Sequence, residues 1–147
     1  MEGTKEIDIS SSHILIFGNN LEGQCGLGSS EDYLLQPISL NSNNRSSLNP
    51  LGLINTFINK KQSYILFRDG SVLSCGENDN NELGRSGKRS IFQRIDALEA
   101  FFITDIAVGD GFRIFVCKDG KLISWGVNSM GQLGCGDRDS RDKPKVN

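Results

Sequence analysis

One phrase occurs three times in this chain, and its glycines decide what the chain can fold into. Aligned on Gly18, Gly76 and Gly126, which stand 58 and 50 residues apart, the copies follow one pattern. The first reads Phe17-Gly18-x-Asn20-x-x-Gly23-Gln24-Cys25-Gly26-x-Gly28 and the second Cys75-Gly76-x-Asn78-x-x-Asn81-Glu82-Leu83-Gly84. The third reads Trp125-Gly126-x-Asn128-x-x-Gly131-Gln132-Leu133-Gly134-x-Gly136. Glycine reaches positive φ without steric cost, and asparagine is the next most tolerant residue there. That accounts for Asn81 standing where Gly23 and Gly131 stand. A run with Gly or Asn at nearly every second or third position cannot be a helix, because each Gly costs about 0.8–1 kcal/mol relative to Ala. The phrase is expected to form a structured loop between short strands, and its recurrence marks a repeated supersecondary unit.

These residues resemble the repeats of the regulator of chromosome condensation, in which an aromatic-Gly-x-Asn-x-x-Gly-Gln-Leu-Gly-x-Gly run recurs at about this spacing. The resemblance covers most of the chain. It implies an all-β fold, a partial β-propeller whose blades are four-stranded antiparallel sheets; a complete member has seven blades, and this chain supplies far fewer. It also implies guanine nucleotide exchange on a small GTPase as the family's founding activity. In the family a Cys-Gly-x-x-His segment joins two strands of each blade. Here the matching positions read Ile58-Asn59-Lys60-Lys61-Gln62 and Val108-Gly109-Asp110-Gly111-Phe112, so the His is missing from both.

Strand patterns fill the intervals. Asp69-Gly70 and Asp119-Gly120 are each flanked by strand-forming residues and are expected to be two-residue hairpin turns. Pro37 points to an edge strand or a strand start, with counterparts at residues 92–95 and 143–146. Residues 1–12 read as a polar tail and 13–147 as the repeat region. That region holds two whole repeats at 14–74 and 72–124 and the opening of a third at 122–147. The polar stretch 41–50 reads as a surface-loop insertion, and it explains the longer first spacing. The first copy lacks a hairpin partner, so the chain is expected to begin inside a blade.

Charge and composition exclude several functions. Sixteen Lys and Arg against eighteen Asp and Glu give a net charge of −2, leaving no basic field to hold nucleic acid. No apolar run approaches the roughly 20 residues of a membrane-spanning helix, and residues 1–12 lack the features of a secretory signal. An intracellular location, cytoplasmic or nuclear, is expected. Cys25, Cys75, Cys117 and Cys135 are then read as thiols.

No residue pattern points to catalysis, a cofactor or a metal. His13 is the sole histidine and has no partner pattern. Residues 84–90 imitate a phosphate loop, but Glu82 replaces its first Gly and Arg89 its Ser or Thr. Residues 137–142 imitate a calcium loop without its Gly and Glu. Asn44-Arg45-Ser46 is a formal glycosylation acceptor that secretion alone would make relevant. Trp125 reads as core. Arg85, Lys88 and Arg89 form a basic cluster that could meet an acidic partner. The expected function is a protein-interaction module or scaffold. An exchange factor for a small GTPase and a fragment of a larger propeller protein are the alternatives. The expected partner is another protein, with self-association through exposed blade edges and neither nucleic acid nor membrane.

Overall fold

A computed structural model of the chain describes residues 14–30, 33–40 and 52–147. The tail at 1–12 and the insertion at 41–50, as well as His13 and the Asn44 acceptor, lie outside the described residues. Strands β1 (Ile14–Asn19) and β2 (Tyr33–Leu40) form an antiparallel pair. Next comes a four-stranded antiparallel sheet of β3 (Leu53–Ile58), β4 (Gln62–Phe67), β5 (Val72–Gly76) and β6 (Gln93–Arg94) in that spatial order. A second sheet repeats the order with β7 (Ile103–Val108), β8 (Phe112–Cys117), β9 (Leu122–Gly126) and β10 (Arg141–Val146). By position along the repeat, β1 and β2 match β5 and β6. A repeat counted from one glycine loop to the next therefore takes its strands from two successive blades.

Burial follows from alternation of side chains across each sheet. Every residue of β4 is buried, so both of its faces are covered. Tyr64 and Leu66 face the β7–β10 blade and join Phe115, Ile123 and Trp125 in one apolar cluster. Ile65 and Phe67 face the other way, with Cys75 and Phe92, toward Ile16 and Leu27. In β8 only Arg113, Phe115 and Cys117 are buried, whereas Phe112, Ile114 and Val116 are half-buried. That second face of the β7–β10 blade is uncovered among the described residues. A short 3-10 turn, Asp96–Leu98, carries Ile95 and Leu98 into the interblade core and leads to β7.

The Asp-Gly hairpins differ from expectation. Phe67 N–H donates to Ser71 O at 3.0 Å and Gly70 N–H to Phe67 O at 2.9 Å, leaving three residues, Arg68 to Gly70, in the connection. Cys117, Lys121 and Gly120 repeat these bonds, each at 2.9 Å. A two-residue type I′ turn would need positive φ at the aspartate, but Asn81 is the one non-glycine described with positive φ. Glycine alone takes that conformation, at +78° in Gly70 and +86° in Gly120. Asp69 Oδ1 accepts from Ser71 N–H at 2.9 Å, which closes the turn from the side-chain direction.

Candidate functional site

The glycine loops are built by two of their own side chains. In each, the Asn that follows the glycine is a staple: the N–H of Cys25, Leu83 and Leu133 donates to Oδ1 of Asn20, Asn78 and Asn128 at 3.0, 2.8 and 2.9 Å. The same three amides donate Nδ2 to the carbonyls of Ser29, Arg85 and Asp137 at 3.2, 3.0 and 3.0 Å. The Gln or Glu position caps a turn. Gln24, Glu82 and Gln132 accept the N–H two residues earlier, at 3.0, 2.8 and 2.9 Å. Gly23, Asn81 and Gly131 share one conformation, with φ of 76°, 62° and 76°.

Each of the first two loops rests on the blade that follows it. A methyl added at Gly23 would stand 2.6 Å from the Ser90 backbone, and Gly26 lies under the Phe92 ring. Gly84 lies under Trp125, where an added methyl would come within 2.9 Å of the indole. Where the strand residue is small, as at Cys75, Phe92 supplies the ring; where it is large, Trp125 supplies it directly. Gly134, the third equivalent, has nothing within 4 Å.

Between the two complete blades, beside the second of these loops, lies a cleft of about 530 Å³. Its walls are the β3–β4 turn with Lys60 and Lys61, the second glycine loop with Glu77 and Glu82, and the β7–β8 turn with Asp110, together with Arg113 of β8. Lys61 and Glu77 form an ion pair at the rim. Beneath it runs a buried polar chain. Arg113 Nε donates to Tyr64 Oη at 2.8 Å, and Tyr64 Oη donates to Glu82 O at 2.7 Å. Burial pushes the Tyr64 phenol up to about 12, against the lowering effect of Arg113. Burial also raises the Glu82 carboxyl, but the bonds from Asn80 and the Arg113 charge outweigh it and hold the group below the usual carboxylate range.

The basic cluster is not displayed as a unit. Arg85 is tied into its own blade, donating to Ser74 Oγ at 3.0 Å, Ser74 O at 2.6 Å, Ile91 O at 3.0 Å and Gln93 Oε1 at 2.9 Å. Lys88 is exposed, and Arg89 faces Asp79 at 3.4 Å and Glu22 at 3.6 Å. Trp125 is fully buried, as is Cys75 in the equivalent position. All four cysteines are free. Residues 137–142 hold no metal-type cluster; among the described residues none has three candidate ligands. Arg113 and Tyr64 escaped the sequence reading. The available signal was a lone Arg inside the apolar strand Phe112–Cys117, on the side shared by Phe115 and Cys117.

Family models for the regulator of chromosome condensation (RCC1) repeat match residues 103–132 and 119–147. The chain belongs to the RCC1-repeat family. It is similar to the probable E3 ubiquitin-protein ligase HERC6 of Homo sapiens, 35% identical over 80 residues, which are 53% of this chain and 8% of that protein. The E3 ubiquitin-protein ligase HERC2 of Mus musculus is 33% identical over 105 residues, 68% of this chain and 2% of that one. Among solved structures, Prp20p from Saccharomyces cerevisiae, described with its binding to Gsp1p and histones, superposes with a TM-score of 0.73 at 22% identity. That superposition takes in 91% of this chain and 34% of Prp20p. The chain thus spans a small part of these curated relatives and a third of the yeast propeller. Within the RCC1 pattern, Gln62 and Phe112 occupy the two His positions: Gln62 is buried and Phe112 half-buried beside Gly109.

Proposed function

We propose that these blades form a protein-interaction module that catalyses no reaction itself. The observation that carries this reading is the interblade cleft. Three connecting segments from two rigid blades converge there with charged side chains at the rim, and such loop clusters on a fixed scaffold are where propellers meet partners. The binding that is described for Prp20p supports a protein as the partner. Ligase activity in the HERC relatives belongs to proteins of which this chain covers 2–8%, so it is not carried over.

The module works inside the cell, in cytoplasm or nucleus, on neither nucleic acid nor membrane. No helix among the described residues is long and apolar enough to cross a bilayer. The uncovered face of β8 and the open Gly134 loop support two further readings: these blades belong to a larger ring, or copies of the chain self-associate through them.

The test is affinity capture with the purified chain, followed by release of fluorescent guanine nucleotide from any GTPase captured and from Ran-, Rab- and Arf-like GTPases. A stoichiometric protein partner and no acceleration of release is the expected result. Dose-dependent acceleration well above the spontaneous rate would replace this reading with the exchange factor, because it demands tighter binding to the nucleotide-free state.

A further inference from the structure

The interblade cleft has a cationic floor. Arg113 is 1% exposed and stands on the face of β8 turned toward the β3–β6 blade. Its Nε is answered by Tyr64, but its Nη1 is buried and has no hydrogen-bond partner among the described residues. A guanidinium withdrawn from water is costly unless its N–H groups are answered, and an anionic acceptor answers them best.

Two of the three surrounding carboxylates are engaged elsewhere. Glu77 is held by Lys61. Glu82 spends both oxygens on Asn80, at 2.8 Å to its N–H and 3.0 Å to its side-chain amide. Asp110 is exposed at the rim. The one further cation of the wall, Lys60, is exposed at the mouth, where it can steer an anion inward.

We propose that this cleft binds an acidic side chain of a protein partner, a single carboxylate anchored on Arg113 at the floor and guided by Lys60 at the rim. The proposal rests on the protein-interaction reading and names the chemistry of the contact. A single carboxylate suits the site better than a phosphate dianion for two reasons. The two N–H groups of the orphan Nη1 can be answered by the two oxygens of one carboxylate, and the nearby Glu82 charge repels a dianion about twice as strongly as a monoanion. A volume of about 530 Å³ leaves ample room for an acidic side chain.

The experiment uses the full chain and two neutral-ended peptides, acetyl-Gly-Glu-Gly-amide and acetyl-Gly-Gln-Gly-amide, followed by NMR at the Arg113 Nε–H and the Trp125 indole N–H. The Glu peptide should shift both resonances saturably, and the Gln peptide should bind at least about tenfold more weakly, the loss expected of a charge-assisted bond. Arg113→Gln should abolish the response. Should that variant fail to fold, Glu82→Gln gives an independent reading. It leaves Arg113 in place, removes the repelling charge and should tighten the Glu peptide several-fold. No shift at Arg113, equal shifts from both peptides, or an unchanged affinity in Glu82→Gln would overturn the assignment. A defined partner captured equally well by the wild type and by folded Arg113→Gln would sink this site while leaving the interaction reading intact.

Discussion

The indole N–H of Trp125 donates across the blade boundary to the backbone carbonyl of Glu82, 3.1 Å away. The same oxygen accepts the Tyr64 hydroxyl at 2.7 Å, so one carbonyl of the second glycine loop is shared by two blades. Phe115 locks both rings from below, edge-on to Tyr64 at 5.9 Å and tilted against Trp125 at 4.8 Å. Because the carbonyl keeps one donor, Trp125→Phe should cost only about 1–2 kcal/mol, the lost bond plus a small volume change. Trp125→Ala empties the interblade core and should cost about 3–5 kcal/mol. Urea unfolding of the two variants checks the order, and equal losses would show that the ring does not hold the blades together.

The glycines separate backbone strain from lack of space. Gly126 and Gly134 both have positive φ, 108° and 70°, so alanine should cost about 1–3 kcal/mol of conformational strain at either. At Gly126 the new methyl would also run into the Gly111 carbonyl, whereas at Gly134 it meets nothing within 4 Å. Gly126→Ala should therefore lower the melting temperature clearly more than Gly134→Ala. If the two fall together, the close approach of the β7–β8 turn to Gly126 is wrong.

What the sequence made legible was whatever is decided locally. Positive φ at Gly23, Asn81 and Gly131 is a matter of steric clash within one residue, and repetition of the pattern exposed it. The propeller class followed from the resemblance of these repeats to the RCC1 family, not from their spacing. The turn chemistry was half legible, since Asp-Gly suits both the two-residue turn and the three-residue turn with a left-handed glycine. Only the register, Leu66 opposite Val72, distinguishes them. Charge led away from Arg85: a cation in a basic run suggests solvent, but its guanidinium finds six acceptors in its own blade. The pairing of Arg113 with Tyr64 joins residues 49 apart on different blades, and no local pattern encodes it.

Thiol chemistry should sort the cysteines by depth. Burial pushes the Cys75 thiol well above its ordinary value and raises Cys25 and Cys117 as well, while Cys135 is only half-buried. The thiolate is the reactive form, so at pH 8 in native buffer a chromogenic disulfide reagent should label Cys135 first. The other three should react only as the fold opens, and Cys75 should be the slowest. Rapid labelling of Cys75 in the folded protein would mean that the first loop does not seat on the β3–β6 blade.

Acid should weaken the second loop through Glu82. Its carboxyl is held below the usual range in the folded chain: burial opposes the charge, but the Asn80 bonds and the Arg113 charge prevail. A group whose folded pKa is depressed contributes stability that is fully present above its unfolded value, about 4.3, and is lost as pH falls through the folded one. Glu82→Gln keeps the side-chain oxygen that accepts from Asn80 N–H but removes the charge. The wild type should therefore exceed the variant in stability at pH 7, and the gap should shrink steadily below about pH 4.3 as the carboxylate is protonated. Asp69 and Asp119 also have lowered carboxyls, but they are common to both proteins and cancel in the difference. Urea midpoints of the pair, measured from pH 7 down to pH 3, give the answer directly. A gap that stays constant, or widens in acid, would mean that the Glu82 charge does not support the junction between the blades.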